Sequence, residues 1–295
     1  MKRREFLKDV ALGSVFLKLS PALLKGEKDF PDIALIEGDS PYRITKEAIA
    51  SLGGMERFVS RGDRVLIKPN IGWDRTPEQA ACTNPEVVKA LVELSFDAGA
   101  KEVMVMDNSI NEVRRCYVRS GIATAAKEAG AKVPFPNPNH LKKMALKGEW
   151  LREWEVFTDF VEVDKIINVP IAKTHSLSRL TMGMKNWLGA IGGSRNQLHQ
   201  KIDQAMIDLA AFFKPKLTVL DAYRILIRNG PQGGRPSDTK LQKAVVAGVD
   251  YVACDAIGAT FFDIKPEELL YLQIANQKGL GEINLEKLRI EKRTV

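Results

Sequence analysis

The sequence predicts an α/β fold: a mostly parallel open sheet with helices on both faces. Three observations predict it. From residue 31 onward, short β-rich apolar runs alternate with amphipathic stretches of helical period. Two helix-to-strand turns repeat one pattern, Ala98-Gly99-Ala100-Lys101 and Ala129-Gly130-Ala131-Lys132. The unusual polar residues fall just after the apolar runs, where open parallel sheets gather ligands outside the strands' carboxyl ends.

Each element has its own warrant. Residues 33–36 form a short β-rich run, and residues 43–52 a helix closed by Gly53-Gly54. Val65, Leu66 and Ile67 mark a buried strand over 64–68. Asn84 can cap the next helix, and Pro85 at its first position loses no needed donor. Val87, Val88, Leu91, Val92 and Ser95 share one face of it, and Gly99 suits a left-handed C-cap. Residues 102–106 are the next strand. Three prolines in 134–138 break the alternation, so 134–158 reads as an irregular insertion or lid holding at most a short hairpin. Strands follow over 165–169, 216–220 and 244–249. Helices follow over 180–188, 200–213, 251–262 and 266–277, and 228–238 is a Gly/Pro-rich loop. Residues 27–295 form one α/β domain, or two lobes divided near 134–160.

Composition narrows the function classes. The 295 residues are 45% hydrophobic and 27% charged, which excludes a disordered or multi-span membrane chain. A chain of this length needs no disulfide or metal merely to fold. The three cysteines, Cys82, Cys116 and Cys254, form no C-x-x-C pair, so local iron–sulfur and structural zinc motifs are missing. Cys82 precedes a helix N-terminus, where the dipole lowers a thiol pKa, but a core position is the simpler reading for all three. Residues 1–26 hold six basic residues against Glu5 and Asp9, and so carry four of the seven net positive charges. The remainder is mildly basic, without the Lys/Arg runs and interleaved aromatics of a nucleic-acid surface.

The N-terminus reads as an address. Arg3-Arg4-Glu5-Phe6-Leu7-Lys8 resembles the twin-arginine (Tat) export signal. The apolar run from Val10 to Leu17 is too short to span a bilayer but suits a signal core, and Ser20-Pro21-Ala22 offers cleavage before Leu23. Export through the Tat machinery to the periplasm or cell exterior follows. A cytoplasmic protein with an amphipathic N-terminal helix is the alternative. No membrane span is expected after this segment.

The candidate site comes from scattered positions. Lys68 and Asn70 follow one strand, Asp107 follows another, and Lys173-Thr174-His175 follow a third. Asp221 follows Leu220, and Asp250 and Asp255 follow the strand near Val249. Lys185-Asn186 and His199 complete the set. Lys68, Lys173 and Lys185, with Arg179, favour an anion such as a carboxylate or phosphate. Clustered lysines depress one another's pKa and can supply a general base. Hence Lys173, His175 and Lys185 are the candidate catalytic residues, and Lys68, Asn70, Asp107, Thr174, Asn186 and Asp221 the candidate ligand contacts. His175, His199 and Asp255 are candidate ligands of a divalent metal, a mixed N/O set whose spacing gives no local geometry. The plain alternatives stand beside these: Asp107, Asp221 and Asp250 can cap helices, Lys68 can be a surface lysine, and His140 an exposed loop histidine. Gly192-Gly193-Ser194 and Gly230-Pro231-Gln232-Gly233-Gly234 let backbone N–H groups approach a ligand, but fit neither a Walker A nor a dinucleotide pattern. No G-x-S-x-G elbow supports a Ser-His-Asp hydrolase.

Several of these stretches together resemble the family called domain of unknown function 362 (DUF362). They are Val65-Leu66-Ile67-Lys68-Pro69-Asn70, Thr83-Asn84-Pro85-Glu86-Val87-Val88, Ala172-Lys173-Thr174-His175 and Lys185-Asn186-Trp187-Leu188-Gly189. Leu220-Asp221-Ala222, Asn229-Gly230-Pro231-Gln232-Gly233 and 250–255 continue the resemblance, which runs from about 33 to 263. It implies an α/β fold and a shared polar site, and no particular reaction. Some members look like fusions to ferredoxin-type modules; without those cysteines, no iron–sulfur cluster is expected here. The sequence therefore points to an exported protein that binds a small anionic ligand or cofactor, and to an enzyme before a non-catalytic carrier or an accessory to a redox enzyme.

Overall fold

A computed structural model describes residues 30–295. The twin-arginine segment and the 1–26 boundary lie outside the described residues. The order is β1 (Ile33–Glu37), α1 (Pro41–Ser51), β2 (Arg64–Pro69), α2 (Pro85–Asp97), β3 (Glu102–Val105), α3 (Val113–Arg119) and α4 (Ile122–Glu128). Then come β4 (Leu141–Ala145), β5 (Glu153–Phe157), β6 (Lys165–Val169), β7 (Ile171–His175), β8 (Arg179–Thr181), α5 (Gly183–Asn186) and α6 (Ile202–Phe213). The chain finishes with β9 (Leu217–Leu226), β10 (Thr239–Gly248), α7 (Tyr251–Thr260), α8 (Leu270–Gln277) and β11 (Ile290–Thr294).

The sheet runs β11-β1-β10-β9-β6-β2-β3, with β7 added beside β9 and β8 beside β7. Five of its pairings are parallel: β2–β3, β2–β6, β6–β9, β7–β9 and β1–β11. Three are antiparallel: β1–β10, β9–β10 and β7–β8. Alternation along the strands splits the interior into two cores. Val65 and Ile67 face one core with α1 to α4, while Leu66 faces the other with α5 to α8. Val245 and Ala247 likewise oppose Ala244 and Val246.

Local chemistry sets the helix starts as the sequence suggests. Asn84 accepts from the Glu86 N–H at 2.9 Å with Pro85 at the first turn, and Gly99 takes φ 93° just past α2. Residues 134–158 contain the β4–β5 hairpin, a separate two-stranded sheet, and the main sheet draws strands from both sides of it.

Several elements differ from expectation: β10 begins at Thr239 rather than 244, and the helix expected from 266 is a 3-10 turn over Pro266–Glu268 before α8. The Lys173-Thr174-His175 segment is a strand, not a loop. Pro170 lacks an N–H and interrupts the ladder between β6 and β7, after which pairing resumes on β9. Strand β9 continues to Leu226, so Asp221 lies within it rather than beyond its end. The helix expected over 180–188 divides into β8, α5 and a 3-10 turn over Trp187–Ala190. Strand β11, short and rich in charge, gave no apolar signal and was not expected. Among the described residues, no helix is long and apolar enough to cross a membrane.

Candidate functional site

Beyond the ends of β2 and β3, and beside β7, lies a cavity of about 270 Å³. Lys68 lies just behind its lining because the apolar run of β2 carries it to the end of the strand, fully buried. An unpaired buried ammonium is costly, and Asp107 answers it. Lys68 Nζ lies 2.5 Å from Asp107 Oδ1 and also donates to the Pro69 carbonyl (3.0 Å) and Asn186 Oδ1 (3.2 Å), which uses all three of its protons. Burial lowers the Lys68 pKa, and the Asp107 charge opposes that shift. Asp107 Oδ2 accepts the Ile71 N–H at 2.6 Å. The Tyr117 hydroxyl accepts from the Asp107 N–H and donates to its carbonyl.

The polar chain continues through amides. Asn186 donates to the Lys68 carbonyl and to Asn168 Oδ1, and its own Oδ1 accepts from Asn70 Nδ2 at 3.3 Å. Asn70 Oδ1 accepts from Lys173 Nζ at 3.1 Å, and Lys173 also donates to the Ala81 carbonyl at 2.5 Å. Burial brings Lys173 down to about 8, with Cys82 and Asp107 opposing and Lys68 adding to the shift. Gly189 closes over the Lys68–Asp107 pair. A Cβ there would sit 1.8 Å from Asp107 Oδ1, so the close approach requires glycine.

Lys185 is different. It is 8% exposed and lines the cavity, yet its ammonium makes no hydrogen bond to any described residue. Burial, with the charge of Lys173, brings it down to about 7. Short helix α5 carries it, anchored by Asp255: the buried carboxylate accepts the Gly183 N–H at 2.6 Å and the Met184 N–H at 3.0 Å.

His175 also lines the cavity, stacked on His199 with ring centroids 5.9 Å apart. Its Nδ1 accepts the Leu177 N–H at 3.0 Å and the Ser178 N–H at 3.4 Å. The neutral ring must therefore carry its proton on Nε2. Burial, then the charges of Lys185, His199 and Lys173, hold its pKa down at about 3. At neutral pH the His175 ring is thus neutral, with its Nε2–H as a donor. Arg195 is the cation that sequence reasoning missed. It lines the cavity and fixes three loop carbonyls, of Asn108, Leu188 and Ser109, at 2.8–3.1 Å. Its only sequence signal is a lone arginine following Gly192-Gly193-Ser194.

The structure thus gathers Asn70, Asp107, Lys173, His175, Lys185, Asn186 and His199 around one cavity, with Lys68 behind the lining, bonded to Asp107 and Asn186. It does not gather the rest. Thr174 points to the opposite side of β7 from Lys173 and His175, as strand alternation requires. Asp221 is buried on β9 itself, where it accepts the Asn84 N–H (2.7 Å) and the Tyr223 N–H (3.0 Å); burial raises it to about 6. Asp255 caps α5, and burial raises it to about 7. Arg179 is exposed and bound to Glu268.

The expected metal set is therefore corrected. Asp255 is spent on backbone donors away from the cavity. A metal on His175 Nε2 would force the proton onto Nδ1, against two backbone N–H groups. Among the described residues, no group of three His, Cys, Asp or Glu side chains could hold a metal. Gly192 also serves packing rather than a ligand: a Cβ there would meet Leu141 of β4 at 2.6 Å. Asp250 caps α7, His140 pairs with Asp159 on the surface, and the three thiols are buried, Cys82 being raised by burial to about 11.

Comparison with known proteins adds family context. The profile of DUF362, described as a domain of unknown function, matches residues 65–260. Over 254 residues the chain is 26% identical to a thylakoid-associated protein of Synechocystis sp., covering 83% of this chain and 77% of that one. Among solved structures it resembles the lactate racemase apoprotein of Thermoanaerobacterium thermosaccharolyticum, with a TM-score of 0.48 at 12% identity. That match covers 77% of this chain and 56% of the other, so the chain spans little more than half its length. A putative alcohol dehydrogenase of Thermotoga maritima matches at a TM-score of 0.22 and 18% identity, over 57% of this chain and 28% of that one.

Proposed function

The chain belongs to the DUF362 family, and we propose that its cleft binds a small anionic ligand and acts on it by proton transfer. One observation carries this reading. Lys173, Lys185 and Arg195 line the cavity, while Asp107, the only carboxylate among its described lining residues, is already neutralised by Lys68. The uncompensated charge is positive and desolvated, which is where an anion's charge counts most. His175 Nε2–H and the Asn70 amide add neutral donors. Lys185, near 7, can hold or release a proton at neutral pH, as a general acid or base must.

Calorimetric titration of the full chain with phosphate, oxalate and 2-hydroxy acids at pH 6.5 tests the proposal. Binding of at least one of these anions, weakened tenfold or more by Lys185→Met, is the expected outcome. Indifference to all of them would sink it. Native mass spectrometry of small molecules retained through purification separates an enzyme from a carrier, since only the carrier returns its ligand unaltered. The arginine pair at residues 3–4 extends the proposal to export. Fusing residues 1–30 to a reporter active only after folded export checks it, and a silent reporter speaks for the cytoplasm.

A further inference from the structure

Resting on the anion reading, a narrower inference concerns Lys185. Every other buried lysine of the cleft is tied down: Lys68 by three acceptors, and Lys173 by two. Lys185 is more than nine-tenths buried, has no partner among the described residues, and faces the cavity. A structural lysine in such a place would be expected to have acceptors, because leaving a buried charge unanswered is costly. No carboxylate among the described lining residues is free to answer it. The one carboxylate of the lining is held by Lys68, and the nearby ionisable groups that act on Lys185 and His175 are cationic or neutral. An amine kept desolvated beside other cations is the arrangement that makes lysine a nucleophile.

We infer that Lys185 forms an iminium with a carbonyl compound that also carries an anionic group, a 2-oxo acid being the simplest class. The neutral amine's lone pair attacks the carbonyl carbon, and the C=O pair moves to oxygen, which takes one proton from the attacking nitrogen and a second from solvent. That oxygen leaves as water, and the nitrogen lone pair closes a C=N bond that keeps the nitrogen's remaining proton and a positive charge. One water leaves per molecule bound, and no oxidant or reductant is needed. The iminium keeps the positive charge beside the acid's carboxylate, which Lys173 and Arg195 are placed to hold. His175, fixed with its proton on Nε2, can donate to the oxygen while it leaves. The other wall is apolar: Leu188, Trp73 and the exposed Ile110 and Leu177 line the mouth. A branched apolar side chain on the acid suits them better than a second charge.

The test incubates the full chain at pH 7 with 4-methyl-2-oxopentanoate and sodium cyanoborohydride, which reduces iminium to a stable amine. Peptide mass spectrometry then locates the adduct, which adds the mass of the acid less one oxygen. Preferential labelling of Lys185 by ~10-fold or more over any other lysine is expected, because an ordinary lysine is only about 0.04% neutral at that pH. Excess 2-hydroxy-4-methylpentanoate, which has the same shape and charge but no carbonyl, should suppress labelling of Lys185 and leave surface lysines unaffected. This competition needs no variant; Lys185→Met should abolish the specific adduct if it folds. Labelling spread evenly over surface lysines, with calorimetric binding of the hydroxy acid intact, would overturn the nucleophile role and leave the anion reading standing. Even labelling with no binding of the hydroxy acid would overturn both.

Discussion

Lys68, behind the cleft's lining, and Lys185, within it, are both buried and are treated in opposite ways. Lys68 is enclosed, with its three protons donated to Asp107, Asn186 and the Pro69 carbonyl. Lys185, almost as buried, donates to no described residue and borders open space. Both are desolvated, yet only one is compensated. The difference separates a lysine that builds the site from one left for a ligand. It also explains the Lys68–Asp107 pair: neutralised in place, it shapes the cleft without cancelling the charge of Lys173, Lys185 and Arg195.

The largest expected effect comes from breaking the enclosed pair. Lys68→Met strands the Asp107 carboxylate in the interior and should cost about 3–5 kcal/mol in denaturant unfolding. A loss near zero would mean that the pair is not structural. Lys185→Met should do the reverse. The ordinary lysine value is 10.5 and the folded one about 7, so the charged form is disfavoured in the fold. The penalty is complete below pH 7 and fades as pH rises toward 10.5. The variant should therefore be more stable than the parent at pH 6.5, on the order of 2–4 kcal/mol at ~1.4 kcal/mol per pKa unit. The gap should close by about pH 10.5. A variant less stable than its parent at pH 6.5 would show that Lys185 has a structural partner.

Next comes Gly189→Ala, whose Cβ overlaps Asp107 Oδ1 and lies 2.7 Å from Lys68 Nζ. It should cost about 1–3 kcal/mol, as overpacking does, and weaken anion binding with it. Unchanged melting would mean that the turn carrying residue 189 moves freely. The smallest effect belongs to Thr174→Val. The Thr174 hydroxyl is buried without a hydrogen-bond partner among the described residues and faces away from the cavity. Stability should stay within about 0.5 kcal/mol and anion affinity should not change. A loss of affinity would place Thr174 in the site after all.

Much of this contrast could be read in the sequence, and the rest could not for identifiable reasons. Lys68, Asn70 and Asp107 were legible because strands β2 and β3 end where their apolar runs end, and side chains just beyond parallel strands converge. Lys173 and His175 were found for their residue types, although they sit on a strand; Pro170 hid its continuation. That error carried Thr174 into the candidate set, because only a strand assigns neighbours to opposite faces. Asp221 and Asp255 were misplaced differently. A buried carboxylate that caps backbone N–H groups has the same letter as one that holds a ligand. Only the contacts of Asp255 with Gly183 and Met184, and of Asp221 with Asn84 and Tyr223, tell them apart. Arg195 went unseen because no local pattern links it to Asn108, Ser109 and Leu188, which it joins only in three dimensions.

The central claim is that the positive charge of the cleft, which no free lining carboxylate among the described residues offsets, awaits an anion, and the pH dependence of anion affinity tests it most directly. Lys185 and Lys173 titrate near 7 and 8 in the fold, and each binds an anion only when protonated. Calorimetry with oxalate, phosphate and 2-hydroxy-4-methylpentanoate across pH 6 to 9 should show binding by at least one of them. Its Kd should rise tenfold or more over that range, with the dependence reduced in Lys185→Met. No binding by any of the three, or an affinity flat from pH 6 to 9, would contradict the account.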